Sequence, residues 1–325
     1  MKTRTFLQSI AVGVALAAGA TSAPAQGSAP YPSRPVKLVV PFPAGSATDL
    51  AARVIAQQLG TALGQGFVVD NKPGAGGSIA AMDVIRSAPD GYTLFFSSNS
   101  ALASNVALLK TMPYDPLKEL TPVAGVGETT LALMVKTDHP AKNIDEFVNY
   151  LKERPGKINA GFGSSTSQIS IANLNRLANV NALPVPYKGI PLAVNDVLAG
   201  TVDFTFVDLG NSLAQVKGGK MRALGVTSPK RSSLAPDWPA LAETMPGFDV
   251  TAWFAIAGPA GMPQDVVQKL NAATTEALRK PEVKDKLAGI GLQPMPMPAA
   301  QLKTFMADEV TKWKRMAKEA NIQPE

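Results

Sequence analysis

Between residues 36 and 98, three short apolar runs alternate with two amphipathic stretches. "VKLVV" is β-rich and ends at Pro41, the mark of a strand. "TDLAARVIAQQLGTAL" follows, with Leu50, Val54, Ile55, Leu59 and Leu63 on one helical face and Ser46 or Thr48 placed to cap its start. "FVVDNK" predicts a second strand, "PGAGGSIAAMDVIRSAPDG" a glycine turn and a helix, and "YTLFFSS" a third strand. This order is that of parallel strands joined by helical crossovers.

A second α/β stretch begins near residue 130 with "LALMV". Asn143 and Glu146 are spaced as a capping box, and Pro155-Gly156 stops that helix. Then come a strand in "KINAGFGSST", a helix through "QISIANLNRLA", a strand "ALPVPY", a helix "PLAVNDVLAG", and strands "VDFTFVD" and "MRALGVTS". Past "DVTAWFAIAGPAG" the pattern is mostly helical, with i, i+3, i+4 apolar spacing from 263 to 280 and from 299 to 320.

The polar residues gather where strands end. "PFPAGSATD" offers Phe42, Ala44, Gly45, Ser46, Thr48 and Asp49; "SSNSA" offers Ser97, Ser98, Asn99 and Ser100, with Ser97 and Asn99 as the chosen contacts; "GFGSSTSQ" offers Gly163, Ser164, Ser165, Thr166 and Ser167; "VDLGN" offers Asp208. Each loop alone reads as a helix cap. Four such loops on parallel strands converge at one edge, and helix N-termini there make an anion site that needs no basic side chain. Asp49 reads first as a favourable charge in the first turn of a helix.

Charge and composition narrow the class. The chain has 325 residues, 46 % apolar and 17 % charged, enough for a large core. Lys2 and Arg4 precede an apolar stretch from Phe6 to Ala20 and the small residues Ala23 and Ala25, the pattern of a secretory signal peptide over residues 1–25. Its removal lowers the net charge from +6 to +4, which, without a dense Lys/Arg block, excludes nucleic acid as the expected partner. There is no cysteine, so disulfides and thiolate metal sites are excluded. The sole histidine, His139, sits in "KTDHPAKN", read as an exposed loop, and no G-x-S-x-G, H-E-x-x-H or P-loop motif occurs. No enzyme, cofactor or metal site is expected.

"PSRPVKLVVPFPAGSATDLAARVIAQQL", "NKPGAGGSIAAMDVIRSAPDGYTLFFSS", "VPYKGIPLAVNDVLAGTVDFTFVD" and the stretch from "MRALGVTSPKR" to "IAGPAGMP" resemble the Bug family of periplasmic solute receptors, the binding proteins of tripartite tricarboxylate transporters. The likeness runs from about Pro32 to the C-terminus. It implies an α/β, two-lobed Venus-flytrap fold like type II periplasmic binding proteins. The lobes would be residues 31–127 with 254–325, and residues 128–253, hinged near 125–130 and 251–257. It implies a small organic carboxylate in the cleft, gripped by the loops at Gly45 and Ser164 and met at its far end by Ser97, Asn99 and Asp208. The partners implied are the integral membrane permease subunits of a tripartite transporter, with a sensor kinase as the alternative, for a periplasmic monomer. Two departures stand out. Many relatives have glycine where this chain has Ser46, and many have a histidine in the stretch that here reads "STSQIS".

Overall fold

The computed structural model describes residues 30–323. The signal peptide expected over residues 1–25 lies outside them. From Pro32 onward the chain forms one compact body. Its first elements are β1 (Val36–Val40), α1 (Ala47–Leu63), β2 (Phe67–Asn71), α2 (Ser78–Ile85), β3 (Thr93–Ser98) and α3 (Asn105–Leu108). The long strand β4 (Leu120–Lys136) leads to α4 (Ile144–Lys152), β5 (Asn159–Phe162), α5 (Ser165–Ala178), β6 (Leu183–Pro186), α6 (Ile190–Ala199) and β7 (Phe204–Asp208). α7 (Leu209–Lys217), β8 (Met221–Val226), β9 (Thr251–Pro259), α8 (Gln264–Arg279), α9 (Pro281–Gly289), β10 (Gln293–Met297) and α10 (Ala299–Glu319) complete it.

The strands run β2-β1-β3-β9-β4-β7-β5-β6, with β10 and β8 also paired to β4. β1 is parallel to β2 and β3, and β5 is parallel to β6 and β7, as the alternation of strands and helices predicts. β4 joins the two groups. It pairs antiparallel with β9 from Leu120 to Thr130, then with β7 from Leu131 and with β8 from Ala132. Thr227 ties this crossing together. Its Oγ1 accepts from Leu131 N (3.0 Å) and donates to Val250 O (2.7 Å).

Strand alternation sorts the core beyond the crossing. Leu133, Phe204 and Phe206 pack with Phe147 of α4 on one face, while Met134 and Val207 pack with Val194 and Val197 of α6 on the other. In α1 the buried stripe is built by Ala51, Ala52, Ile55, Ala56 and Leu59, while Leu50, Val54 and Leu63 are only half-buried. Small residues let that helix lie close to its neighbours, so the stripe runs one position away from the one the large residues predict. α7 and β10 are absent from the sequence-based expectation, and β4 begins eleven residues earlier than "LALMV" predicts.

His139 is half-buried rather than exposed. It packs against Phe147 and Tyr150, and its Nδ1 accepts from Ala141 N. Burial pushes its pKa down, so the ring is neutral packing material.

The C-terminal helix is fixed by a buried carboxylate. Glu309 Oε2 accepts from Trp253 Nε1 (2.7 Å) on β9 and from Trp313 Nε1 (2.9 Å) on α10. Lys312 lies 3.3 Å from Oε1. Glu309→Leu leaves two buried indole N–H groups without an acceptor. It is expected to cost about 3 kcal/mol, read as a lower urea midpoint with secondary structure retained.

Candidate functional site

The loop after β1 is held by its own carboxylate. Ser46 caps α1, its Oγ accepting from Asp49 N (3.3 Å). Gly45 turns at φ +82°, a left-handed conformation that glycine adopts without strain. Its N–H donates to Asp49 Oδ2 (2.9 Å). Arg53 Nε (3.0 Å) and Asn71 Nδ2 (3.0 Å) donate to Asp49 Oδ1, and the same Asn71 amide donates to Phe42 O (2.9 Å). Burial pushes the Asp49 pKa up, but the hydrogen bonds from Arg53, Gly45 and Asn71 outweigh it and hold the carboxyl below its ordinary range. Asp49 is therefore the loop's internal anchor and does not line the cavity.

The loop after β5 repeats the device with hydroxyls. Ser164 caps α5 by accepting from Ser167 N (3.1 Å), and Ser167 Oγ accepts from the N–H groups of Gly163 and Ser164 (3.1 Å each). Ser165 and Thr166 reach instead to the end of β3. Asn99 Nδ2 donates to Thr166 Oγ1 (3.0 Å), and Ser165 Oγ donates to Ser100 Oγ (2.8 Å) and also meets Ser104 Oγ. From the end of β7, Asn211 Nδ2 donates to Asp208 Oδ2 (2.7 Å) and to Gly45 O (3.3 Å). The loops after β1, β3, β5 and β7 thus meet, but not on one parallel set: β1 and β3 are parallel, as are β5 and β7, while the two pairs run in opposite directions through β9 and β4, so their C-terminal ends face each other.

Between them lies a cavity of ≈ 40 Å³. Its polar lining is Ser46, Thr48, Ser98, Thr129, Ser164 and Thr166, with Asp208 as its one charged side chain. Phe42, Leu131, Ile190 and Phe254 are among its apolar walls. Of the residues singled out from sequence, Phe42, Ser46, Thr48, Gly163, Ser164, Thr166 and Asp208 line this space. Ser165 lines a neighbouring chamber with Phe42, Gly163 and Ser164. Ala44, Gly45, Asp49, Ser97, Asn99 and Ser167 line neither: Gly45, Asp49, Asn99 and Ser167 brace the loops, and Ser97 Oγ donates to Ser98 O. Thr129 escaped the sequence reading, and Ser98, read as part of the "SSNSA" loop, was passed over as a contact in favour of its neighbour Ser97. Ser98 is the alternate residue beside Ser97, so the face was misjudged, and Thr129 lies in the part of β4 whose pattern gave no strand.

Asp208 is buried, and burial pushes its pKa up to about 6 against the hydrogen bonds from Asn211. Among the described residues, no lysine, arginine or histidine lines the cavity. Among the described residues no group of three or more His, Cys, Asp or Glu could hold a metal ion. The arrangement can bind an acceptor-rich group by hydroxyls and amides.

With this geometry in hand, comparison with known proteins decides the family. The profile described as "Tripartite tricarboxylate transporter family receptor" matches residues 51–322. The chain belongs to that family. Protein BugT of Bordetella pertussis is 35 % identical over 314 residues, 95 % of each chain. Among solved structures, Rpa4515 of R. palustris, determined with adipate, superposes with a TM-score of 0.88 at 32 % identity, covering 91 % of this chain and all of that one. MatC (Rpa3494) from Rhodopseudomonas palustris, with bound malate, gives 0.83 at 33 % identity, covering 88 % of this chain and 99 % of that one. The receptor shares the α/β fold of these periplasmic binding proteins, in agreement with the resemblance drawn from sequence. No helix among the described residues is long and apolar enough to cross a membrane.

The raised Asp208 pKa carries a sign. Between about pH 4 and pH 6 the folded receptor holds a proton on Asp208 that the unfolded chain has released. Stability from this group is therefore present below the unfolded value and is lost as pH rises through about 6, by roughly 3 kcal/mol in all. Asp208→Asn is expected to remove that loss. Melting temperatures of both proteins at pH 5 and pH 8 check it: the variant should gain on the wild type at pH 8.

Proposed function

We propose that this receptor captures a small organic carboxylate in the cavity between the two strand groups and delivers it to the permease subunits of a tripartite transporter. The observation that supports it most is the convergence of two helix-capping loops and six side-chain hydroxyls on one buried space with no cation. A carboxylate is acceptor-only and can take hydrogen bonds from hydroxyls whose protons are not spent within the protein, as that of Thr129 is on Gly291 O (2.6 Å). Relatives of known structure carry adipate and malate. The signal-peptide pattern supports a periplasmic location.

The strand groups serve as two lobes in this reading. β1, β2, β3, β10 and most of β9 belong to one, and β5 to β8 to the other. β4 passes between them at Thr130–Leu131, and the return crossing runs near Val250–Thr251. Closure buries the carboxylate, and neutral donors replace its water. Ser46 both caps α1 and faces the cavity, so it stands with the donors. Asp208 disfavours a second carboxylate beside it unless it is protonated, and favours a hydroxyl or amino group there.

Close backbone packing seals the two lobes. A Cβ at Gly210, in the first turn of α7, would lie 2.1 Å from the carbonyl oxygen of Ile290 at the start of β10's approach. Gly210→Ala is expected to wedge the lobes apart and weaken carboxylate binding by about tenfold, with the fold intact by circular dichroism. The functional reading itself is tested by native mass spectrometry of the mature protein, purified without refolding, with a melting-shift panel of organic acids. A retained acid or a shift with one class supports capture. No response to any carboxylate overturns it.

A further inference from the structure

The hydroxyl cavity is small for the task. At ≈ 40 Å³ it has room for the volume of a few water molecules, about 10–15 Å³ each on this measure, and so for the head of an acid rather than its body. A second space adjoins it. A chamber of ≈ 340 Å³ shares Phe42, Gly163 and Ser164 with the cavity, so one wall serves both. It also lies between the two strand groups. Leu108, Leu109 and the turn at Ala75–Gly77 bound it on one side, and Phe162, Pro186 and Tyr187 on the other.

The chemistry of this chamber differs from that of the cavity. Its walls are largely apolar. Tyr187 Oη donates to Asp196 Oδ2 (2.7 Å), so its hydroxyl is engaged on α6 while its ring borders the chamber. The polar groups at hand are Ser100, Ser165, Asn105, Gln168 and Lys188. Ser100 and Ser165 bond to each other, and Asn105 Nδ2 is spent on Gly76 O (2.6 Å). Lys188 is exposed at the border and has no ion-pair partner among the described residues. The cavity thus offers neutral donors and a carboxyl, and the chamber offers an apolar path ending at a cation.

We propose that the chamber is the distal half of the ligand site and that it selects long, linear dicarboxylates. The head carboxylate sits among the hydroxyls, the methylene chain passes Phe42 and lies along Phe162 and Leu108, and the far carboxylate pairs with Lys188. This rests on the receptor reading above, and it names what that receptor prefers.

Each methylene buried against such walls raises affinity by about fourfold. The test is calorimetric titration of the mature wild type, Lys188→Glu and Gln168→Trp with succinate, adipate and azelate. The expected result is affinity rising with chain length, azelate exceeding succinate by more than about tenfold. Lys188→Glu should take about tenfold from azelate while leaving succinate within about twofold, and Gln168→Trp, which fills the chamber, should block azelate alone. Succinate binding as tightly as azelate, or equal losses for both acids in Lys188→Glu, overturns the distal site and leaves the receptor standing. Binding of no diacid at any length overturns both.

Discussion

An anion can be held without a cation only where several neutral donors converge out of water. That constraint organises this molecule. Backbone N–H groups are free only at helix starts, so the helices must begin where the ligand sits. Parallel strands deliver helix starts to one edge, and both strand groups here are built from them. Asp49 and Ser167 then fix the two loops from behind, through Gly45 N in one case and through Gly163 N and Ser164 N in the other. The charge of Asp49 is spent on Arg53 and Asn71, so it steadies the loop without facing the ligand.

The same constraint explains the hydroxyl network across the halves. Asn99 with Thr166, and Ser100 with Ser165, bond side chains from β3's end to α5. Each pair satisfies buried polar groups between the two strand groups, which an apolar lining would not require. Neutral groups also make the contact insensitive to salt, in contrast to an ion-pair latch. Asp208 is the exception. Its raised pKa follows from burial beside hydroxyls and one amide, and it makes the site sensitive to a proton as well as to shape.

Much of this was legible in the chain because it is local. The Asn143 cap with Glu146, the Ser46 cap and the amphipathic α8 and α10 are written in spacing, and each is where the spacing predicts. What was not legible depends on packing between distant segments. β4 runs through Pro122, Gly125 and Gly127, residues that argue against a strand. The two glycines are needed because β10 approaches so closely, a Cβ at Gly125 meeting Met297 at 2.7 Å, and Pro122 sits where the pairing with β9 shifts register. α7 was missed because "LGNSLAQVK" buries only Leu209 and Ser212 and shows no apolar stripe. For the site, the loops were readable as a set, but the face each residue turns was not. Ser98 rather than Ser97 lines the cavity, a one-residue difference that reverses a strand's face.

The claim on which the rest depends is that neutral donors hold a carboxylate. The most direct measurement compares binding of a dicarboxylic acid with binding of its diamide, two molecules of nearly equal shape, by calorimetric titration of the mature protein. A site of converging N–H and O–H donors accepts the carboxylate, whose oxygens only accept, and rejects the diamide, whose N–H groups meet donors. The account expects binding of the acid and none of the diamide. Equal affinity for the two would contradict it.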